Sequence, residues 1–249
     1  MSVEYVIVIP ARYASTRLPG KPLRDIAGLT MIERVVTQGL QSSANQVVVA
    51  TDHPEIAKVL EGKVEVIMTH AEATSGTDRV AEAVSALKLE DETVVVNLQG
   101  DEPLMPPACL DQVANNLVSS GADMATLACS FSPTENPEAP DSVKVVFSSS
   151  GRALYFSRSM IPFNRDSLPG APLDVMRHIG LYAYRAGFIK RFVGWPVARI
   201  EALEQLEQLR ALDQDAHIHV DPANETILPG VDTQEDLDRV CRHFAGVSC

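Results

Sequence analysis

Thr93-Val94-Val95-Val96-Asn97-Leu98-Gln99-Gly100-Asp101 is the stretch on which the architecture turns. Thr93–Leu98 is apolar and β-branched with little alternation, and it ends abruptly in a polar turn. A strand that is apolar on both faces belongs in a sheet covered on both sides, the habit of parallel sheets. Similar runs recur outward from it, at Val3–Ile9, Gln46–Thr51 and Val64–Met68. Between them the spacing is helical: Met31–Leu40, a short helix around Ile56–Leu60, then Arg79–Leu87 and Leu110–Val118. Strands alternating with helices predict an α/β fold, doubly wound around a mostly parallel sheet. In such sheets ligands sit beyond the carboxyl ends of the strands.

After residue 122 the rhythm changes. Met124–Phe131, Val143–Phe147 and Ala153–Phe156 read as strands without long helices between them, and Ser148-Ser149-Ser150-Gly151 as a hairpin turn. Pro133–Asp141, rich in proline and acid, reads as an exposed loop. His178–Tyr184 alternates, with His178, Gly180, Tyr182 and Tyr184 on one face and Ile179, Leu181 and Ala183 on the other. Ile200–Leu212 has the pattern of one amphipathic helix, Ile218–Val220 of a short strand and Gln234–Phe244 of a last helix. The expectation is one domain over residues 1–249: an α/β part at 1–121, an antiparallel insertion or subdomain at 122–200, and a return to the main sheet at 201–249.

The chain has 249 residues and a net charge of −12, which disfavours nucleic acid or an anionic membrane as partner. Its apolar runs are too short to span a bilayer, and its start lacks the pattern of a signal peptide. The four cysteines (Cys109, Cys129, Cys241, Cys249) show no CxxC spacing, which points to a reducing compartment and away from zinc. A cytoplasmic protein is expected. His217 and His219 share a face of their short strand, but without a third ligand they read as strand polarity. Met124, Met160 and Met176 read as packing, Trp195-Pro196 as a loop anchor and Cys249 as an exposed thiol.

The bases are concentrated although acids outnumber them. Tyr5–Arg24 holds Arg12, Arg17, Lys21 and Arg24; Ser142–Arg165 holds Lys144, Arg152, Arg158 and Arg165; Val175–Ile200 holds Arg177, Arg185, Lys190, Arg191 and Arg199. None of the 33 acids falls in these windows. They read as surface that handles anions.

The first window contains the strongest motif, Pro10-Ala11-Arg12-Tyr13-Ala14-Ser15-Thr16-Arg17-Leu18-Pro19-Gly20-Lys21-Pro22-Leu23. A loop between strand and helix is where phosphates bind in these sheets, through backbone N–H groups, hydroxyls and bases. It is neither a P-loop, since Pro22 follows Lys21, nor a GxGxxG fingerprint. Two arginines and a lysine suffice to clamp a triphosphate. Asp101, fixed at a strand's carboxyl end beside that loop, is placed to hold a divalent cation or to cap the next segment. Asp232, in Gly230-Val231-Asp232-Thr233-Gln234-Glu235, can be a cap with Glu235 three residues on, a cation ligand, or both.

These segments, with Ser75-Gly76-Thr77-Asp78-Arg79, Ala153–Arg158, Arg177–Tyr182 and Leu206–Arg210, resemble in order and spacing the 3-deoxy-manno-octulosonate (Kdo) cytidylyltransferase family, also called CMP-Kdo synthetases. The resemblance covers essentially the whole chain and implies a magnesium-dependent transfer of CMP from CTP to the anomeric hydroxyl of Kdo, for lipopolysaccharide synthesis. It implies that Asp101 and Asp232 hold Mg2+, with Lys21 and Arg17 catalytic beside them. Arg12, Ser15, Thr16, Arg17, Lys21, Ser75, Arg79 and Asp101 would meet the nucleotide. Gln99, Arg158, Arg165, His178, Tyr182 and Glu204 would meet Kdo. The 122–200 segment would bind the acceptor and join a homodimer. Where the family often reads Gly-Lys-Pro-Met, this chain has Gly28-Leu29-Thr30-Met31, and Thr30 is suited to cap the following helix. Two rival readings are a cytidylyltransferase for another acidic sugar (8-amino-Kdo or a sialic acid) and a non-catalytic nucleotide-sensing module.

Overall fold

The computed structural model describes residues 3–15, 17–71, 73, 75–132, 135–165 and 175–246. Thr16 and Cys249 therefore lie outside the described residues. The chain runs β1 (Tyr5–Ala11), a 3-10 turn at Lys21–Leu23, β2 (Asp25–Ile26), β3 (Leu29–Thr30), α1 (Met31–Leu40), β4 (Gln46–Thr51), α2 (Pro54–Val59) and β5 (Glu65–Met68). It continues through α3 (Gly76–Ala86), β6 (Val94–Asn97), α4 (Pro107–Ser120), β7 (Met124–Ser130), β8 (Lys144–Phe147), β9 (Ala153–Ser157), β10 (Met176–Arg185) and α5 (Ala186–Phe192). The last elements are α6 (Arg199–Glu204), α7 (Gln208–Asp213), β11 (Ile218–Pro222) and α8 (Gln234–Phe244).

The main sheet has the order β11-β7-β10-β6-β1-β4-β5. Pairs β1–β4, β1–β6, β4–β5 and β7–β11 are parallel, and β10 is antiparallel to both β6 and β7. This is the expected α/β sheet with an antiparallel part. Residues 122–200 supply two strands of that sheet, β7 and β10, and only the hairpin β8–β9 branches from it. The two faces follow the side-chain period of a strand. Ile7, Ile9, Val96 and Leu98 pack with Ile32 and Val35 of α1 and Leu110 and Val113 of α4. Val6, Val8 and Val95 pack with Val80 and Val84 of α3 and Phe188 and Ile189 of α5. Ile179, Leu181 and Ala183 fall in the first cluster and Tyr184 in the second, as the alternation predicts.

Three local expectations are corrected. The first strand begins two residues later and runs through Pro10 to Ala11. Ile200–Leu212 is not one helix: α6 ends at Gln205, which is left-handed (φ 53°, ψ 49°), and α7 starts afresh. α5 was not foreseen, because its seven residues begin Ala186-Gly187 without a side-chain cap. Gly187 is required there, since a Cβ would stand 2.9 Å from that of Asp91. Trp195 packs edge-on against Phe188 and Phe192, as a loop anchor should. Thr30 caps α1 through a capping box with Glu33. Among the described residues, no helix is long and apolar enough to cross a membrane.

Candidate active site

β1 and β6 lie side by side and parallel, so the segments that follow them open on the same edge of the sheet. Gly100 makes their approach possible: a Cβ there would lie 2.8 Å from the Pro10 carbonyl oxygen. The basic loop after β1 folds back over this edge. Tyr13 stacks on His53 with ring centroids 3.9 Å apart, and Gly20, left-handed at φ 65°, starts the turn that carries Lys21. Leu18 pins the loop from below, in a small apolar cluster with Ile26, Met31, Val231, Leu237 and Val240. That cluster joins the basic loop to the segment before α8.

Neither Asp232 nor Asp101 acts as the helix cap that its spacing allowed. The cap of α8 is Thr233, in a capping box with Asp236 and not Glu235. Asp101 does not cap α4, whose N-cap position is Pro106 with no side-chain bond. Both carboxylates are thereby left to face the cleft. Lys21 Nζ stands 2.7 Å from Asp101 Oδ2 and 2.9 Å from Asp232 Oδ1, and Arg17 lies 3.0 Å from the same Asp232 oxygen. Burial pulls the Lys21 pKa down, but Asp101 and Asp232 outweigh it and raise it above the ordinary lysine value. Next in sequence, burial and the neighbouring Asp101 push the Glu102 carboxyl up to about 8.

These groups border a cleft of about 680 Å³. Arg12, Ser15, Arg17, Lys21, Ser75, Arg79, Gln99, Asp101, Tyr182 and Asp232, all expected from the sequence, line it. Ser75 is also the N-cap of α3, and Arg79 is buried against Asp52 (2.7 Å) and Thr69 (2.6 Å), so it stiffens the wall. A second chamber of about 230 Å³ shares Thr77, Gln99, Tyr182 and Glu207 with the first. Its deeper wall is apolar, from Met124, Phe188 and Phe192, and Gln208 Nε2 is buried there without a hydrogen-bond partner among the described residues.

Four expected residues line neither cavity. Arg158 donates through its guanidinium to the carbonyls of Glu204 (2.7 Å), Pro140 (2.7 Å) and Gln205 (3.3 Å). Glu204 accepts from Ser157 Oγ (2.6 Å) and Arg158 N (2.9 Å). His178 is buried, 3.1 Å from Thr126 Oγ1, and burial, followed by the Arg177 charge, holds its pKa at about 3. Arg165 is exposed on a turn. No group of three or more His, Cys, Asp or Glu that could hold a metal exists among the described residues, His217 and His219 included.

The sequence reading gave no role to Glu201, Gln205, Glu207 and Arg210, which form the opposite wall, or to Thr77, although Thr77, Glu207 and Arg210 stand in segments that carry the resemblance. Arg210 and Glu201 form a buried pair at 2.5 Å, and Thr77 donates to Glu207 at 2.6 Å across the cleft. A left-handed break at Gln205 separates α6 from α7 within this stretch. The signal available in the sequence was the recurrence of charge at 201, 204, 207 and 210, which also suits an ordinary solvated helix face.

A family model described as cytidylyltransferase matches residues 6–218. A 3-deoxy-manno-octulosonate cytidylyltransferase of Yersinia enterocolitica is 49% identical over 243 residues, covering 96% of this chain and 97% of that protein. The namesake from Alcanivorax borkumensis is 48% identical over 250 residues, covering 98% and 100%. A solved CMP:2-keto-3-deoxy-manno-octonic acid synthetase complexed with CTP has a TM-score of 0.89 at 37% identity, covering 98% of this chain and 99% of that one. A cytidylyltransferase from Leptospira borgpetersenii (TM-score 0.63, 14% identity, covering 100% and 89%) shares the fold. With sequence likeness over nearly its whole length and a cleft built from the expected residues, the chain belongs to the 3-deoxy-manno-octulosonate cytidylyltransferase family.

Proposed function

We propose that this chain transfers CMP from CTP to the anomeric hydroxyl of Kdo, releasing pyrophosphate, as a cytoplasmic step toward lipopolysaccharide. The observation that carries the reading is the convergence of Arg17, Lys21, Asp101 and Asp232 at the edge of the large cleft. The anomeric oxygen forms a bond to the α-phosphorus as the bond from that phosphorus to the α,β-bridging oxygen breaks. The hydroxyl proton passes to solvent. Such a transfer depends on positioning and on charge neutralisation, without a covalent enzyme intermediate.

The donor set fits a magnesium ion. Asp101 and Asp232 already converge on one positive charge, the Lys21 ammonium, and their side chains are 35% and 48% exposed toward the cleft. Two carboxylates leave coordination positions to water and phosphate oxygens, the usual arrangement for Mg2+. When bound, the ion supplies charge neutralisation at the α-phosphate and a lower pKa for the attacking hydroxyl. Lys21, whose ammonium stands between the carboxylates, is a donor to triphosphate oxygens in the same cleft. With Arg17 and Arg12 it then stabilises the departing pyrophosphate.

The smaller chamber adjoins the cleft on the side of two residues expected at the acceptor. Gln99 and Tyr182 reach it, and the unpartnered Gln208 Nε2 offers a donor to a sugar hydroxyl. Arg158, Arg165, His178 and Glu204 belong to the acceptor side by the family resemblance alone. A homodimer formed through residues 122–200 is supported by the exposure of Leu154 and Phe163, which are 60% and 82% accessible. Pyrophosphate release from CTP and Mg2+, measured with Kdo, 8-amino-Kdo and a sialic acid in parallel, tests the reading. Kdo is expected to give the largest kcat/KM. Preference for another acid sugar would reassign the acceptor, and no release with any would leave a nucleotide-sensing module.

A further inference from the structure

We infer that Arg239 and Asp236 of α8 are positioning residues that set Asp232 opposite Asp101. The inference rests on the reading above, in which these two aspartates hold the divalent cation. Asp232 sits on a loop without secondary structure of its own, just before α8. Its place is determined by bonds around it. Val231 N donates to the Asp101 carbonyl at 2.9 Å, docking the loop on the end of β6. Gly230 lies flush against that end, since a Cβ there would come within 2.9 Å of Glu102 Oε1 and 3.0 Å of the Asp101 carbonyl.

Asp236 and Arg239 bracket the remaining freedom. Asp236 Oδ2 accepts from Asp232 N (3.1 Å), Thr233 N (3.0 Å) and Thr233 Oγ1 (2.9 Å). Its other oxygen receives Arg239 Nη1 at 2.6 Å, while Arg239 Nη2 donates to the carbonyls of Pro229 (2.9 Å) and Gly230 (3.0 Å). One guanidinium thus ties the peptide before Asp232 to the carboxylate that ties the peptide after it. Capping α8 needs only Thr233 and Asp236; the two bonds to residues 229 and 230 lie outside the helix and serve the loop. A lysine cannot span this set, because it lacks the planar fork. Partners that orient a cation's ligands commonly change metal affinity about 10–100-fold when removed.

Arg239→Met and Arg239→Lys are to be compared with Asp232→Asn, using Mn2+ as the probe. Its uptake is followed by electron paramagnetic resonance with CTP present, against CTP and Mn2+ without protein, alongside thermal melting. The expected result is Mn2+ uptake weakened about 10–100-fold in Arg239→Met and less in Arg239→Lys. The Mg2+ needed for half-maximal turnover rises in step, and KM for Kdo does not move. If Arg239→Met does not melt cooperatively, Arg239→Lys alone carries the decision. Unchanged uptake in a folded Arg239 variant, with uptake lost in Asp232→Asn, overturns the positioning role only. Unchanged uptake in Asp232→Asn overturns the cation site itself.

Discussion

The first basic window and the two later ones look alike in sequence, acid-free and rich in arginine and lysine, yet they do different things in the fold. In the first, Arg12, Arg17 and Lys21 line the cleft, and Arg17 and Lys21 meet carboxylates from distant segments there. In the later windows Lys144, Arg158, Arg177, Arg185 and Lys190 bond main-chain carbonyls, and the last three also pair with an acid. Lys144 is fully buried, with Nζ donating to Ser142 O at 2.5 Å and to Arg158 O. Arg158 holds three carbonyls, and Arg177 holds that of Ile227 (2.8 Å) and pairs with Glu135 (3.1 Å). Absence of acid nearby in sequence leaves open what neutralises a base. Main-chain carbonyls meet the need as well as a ligand does, and composition does not display them.

If that contrast is sound, the largest effects belong to the cleft. Asp101→Asn and Asp232→Asn are each expected to lose turnover by about 3 kcal/mol or more of transition-state stabilisation, with melting nearly unchanged. A Asp232→Asn protein that keeps its activity would move this residue out of the site. Next come Arg17→Ala and Lys21→Met. Losing a charge-assisted contact of about 2–3 kcal/mol should weaken CTP about 30- to 150-fold while sparing Kdo.

The later windows should answer in stability. Lys144→Met removes the buried donor shared by the Ser142 and Arg158 carbonyls, so a loss of about 2 kcal/mol in unfolding free energy is expected, with KM for CTP unmoved. His178 gives a pH signature of the same region. Its folded pKa of about 3 lies below the ordinary 6.5, so the unfolded chain binds the proton first. Its contribution is complete above about 6.5 and is lost as pH falls toward 3, at up to about 1.4 kcal/mol per pH unit. Urea unfolding of wild type and His178→Gln from pH 7 to pH 4 should show a shallower acid loss in the variant; parallel curves would remove His178 as the source. The smallest effect is reserved for Arg158→Lys, which keeps only part of the set of carbonyl contacts: slightly earlier melting is expected, with KM for Kdo and for CTP each moved by less than about threefold, under ~1 kcal/mol. A raised KM for Kdo alone would place Arg158 at the acceptor and break the contrast.

Much of this was legible in the residues because local physics and the fold agree. Met31–Leu40, Gln46–Thr51 and Gln234–Phe244 appear as read, the strand as a continuous apolar run and the helices with a clear apolar period and a threonine cap. The basic loop and Asp101 were legible because loops at strand ends carry chemistry. The opposite wall was not, because Glu201 and Glu207 stand at a spacing that any solvated helix would show. The left-handed Gln205 splits the stretch into two helices, and its conformation has no glycine to announce it. The cap of α8 stayed open in the sequence for a similar reason: Asp232, Thr233, Glu235 and Asp236 offer two overlapping boxes, and the geometry chooses the later one.

Phosphorus NMR of the wild-type protein with CTP, Kdo and Mg2+ tests the central claim most directly. The account predicts one pyrophosphate and one CMP–sugar phosphodiester for every CTP consumed, and no consumption without Kdo. Release of inorganic phosphate with CDP, or CTP consumed at the same rate in the absence of Kdo, would contradict it.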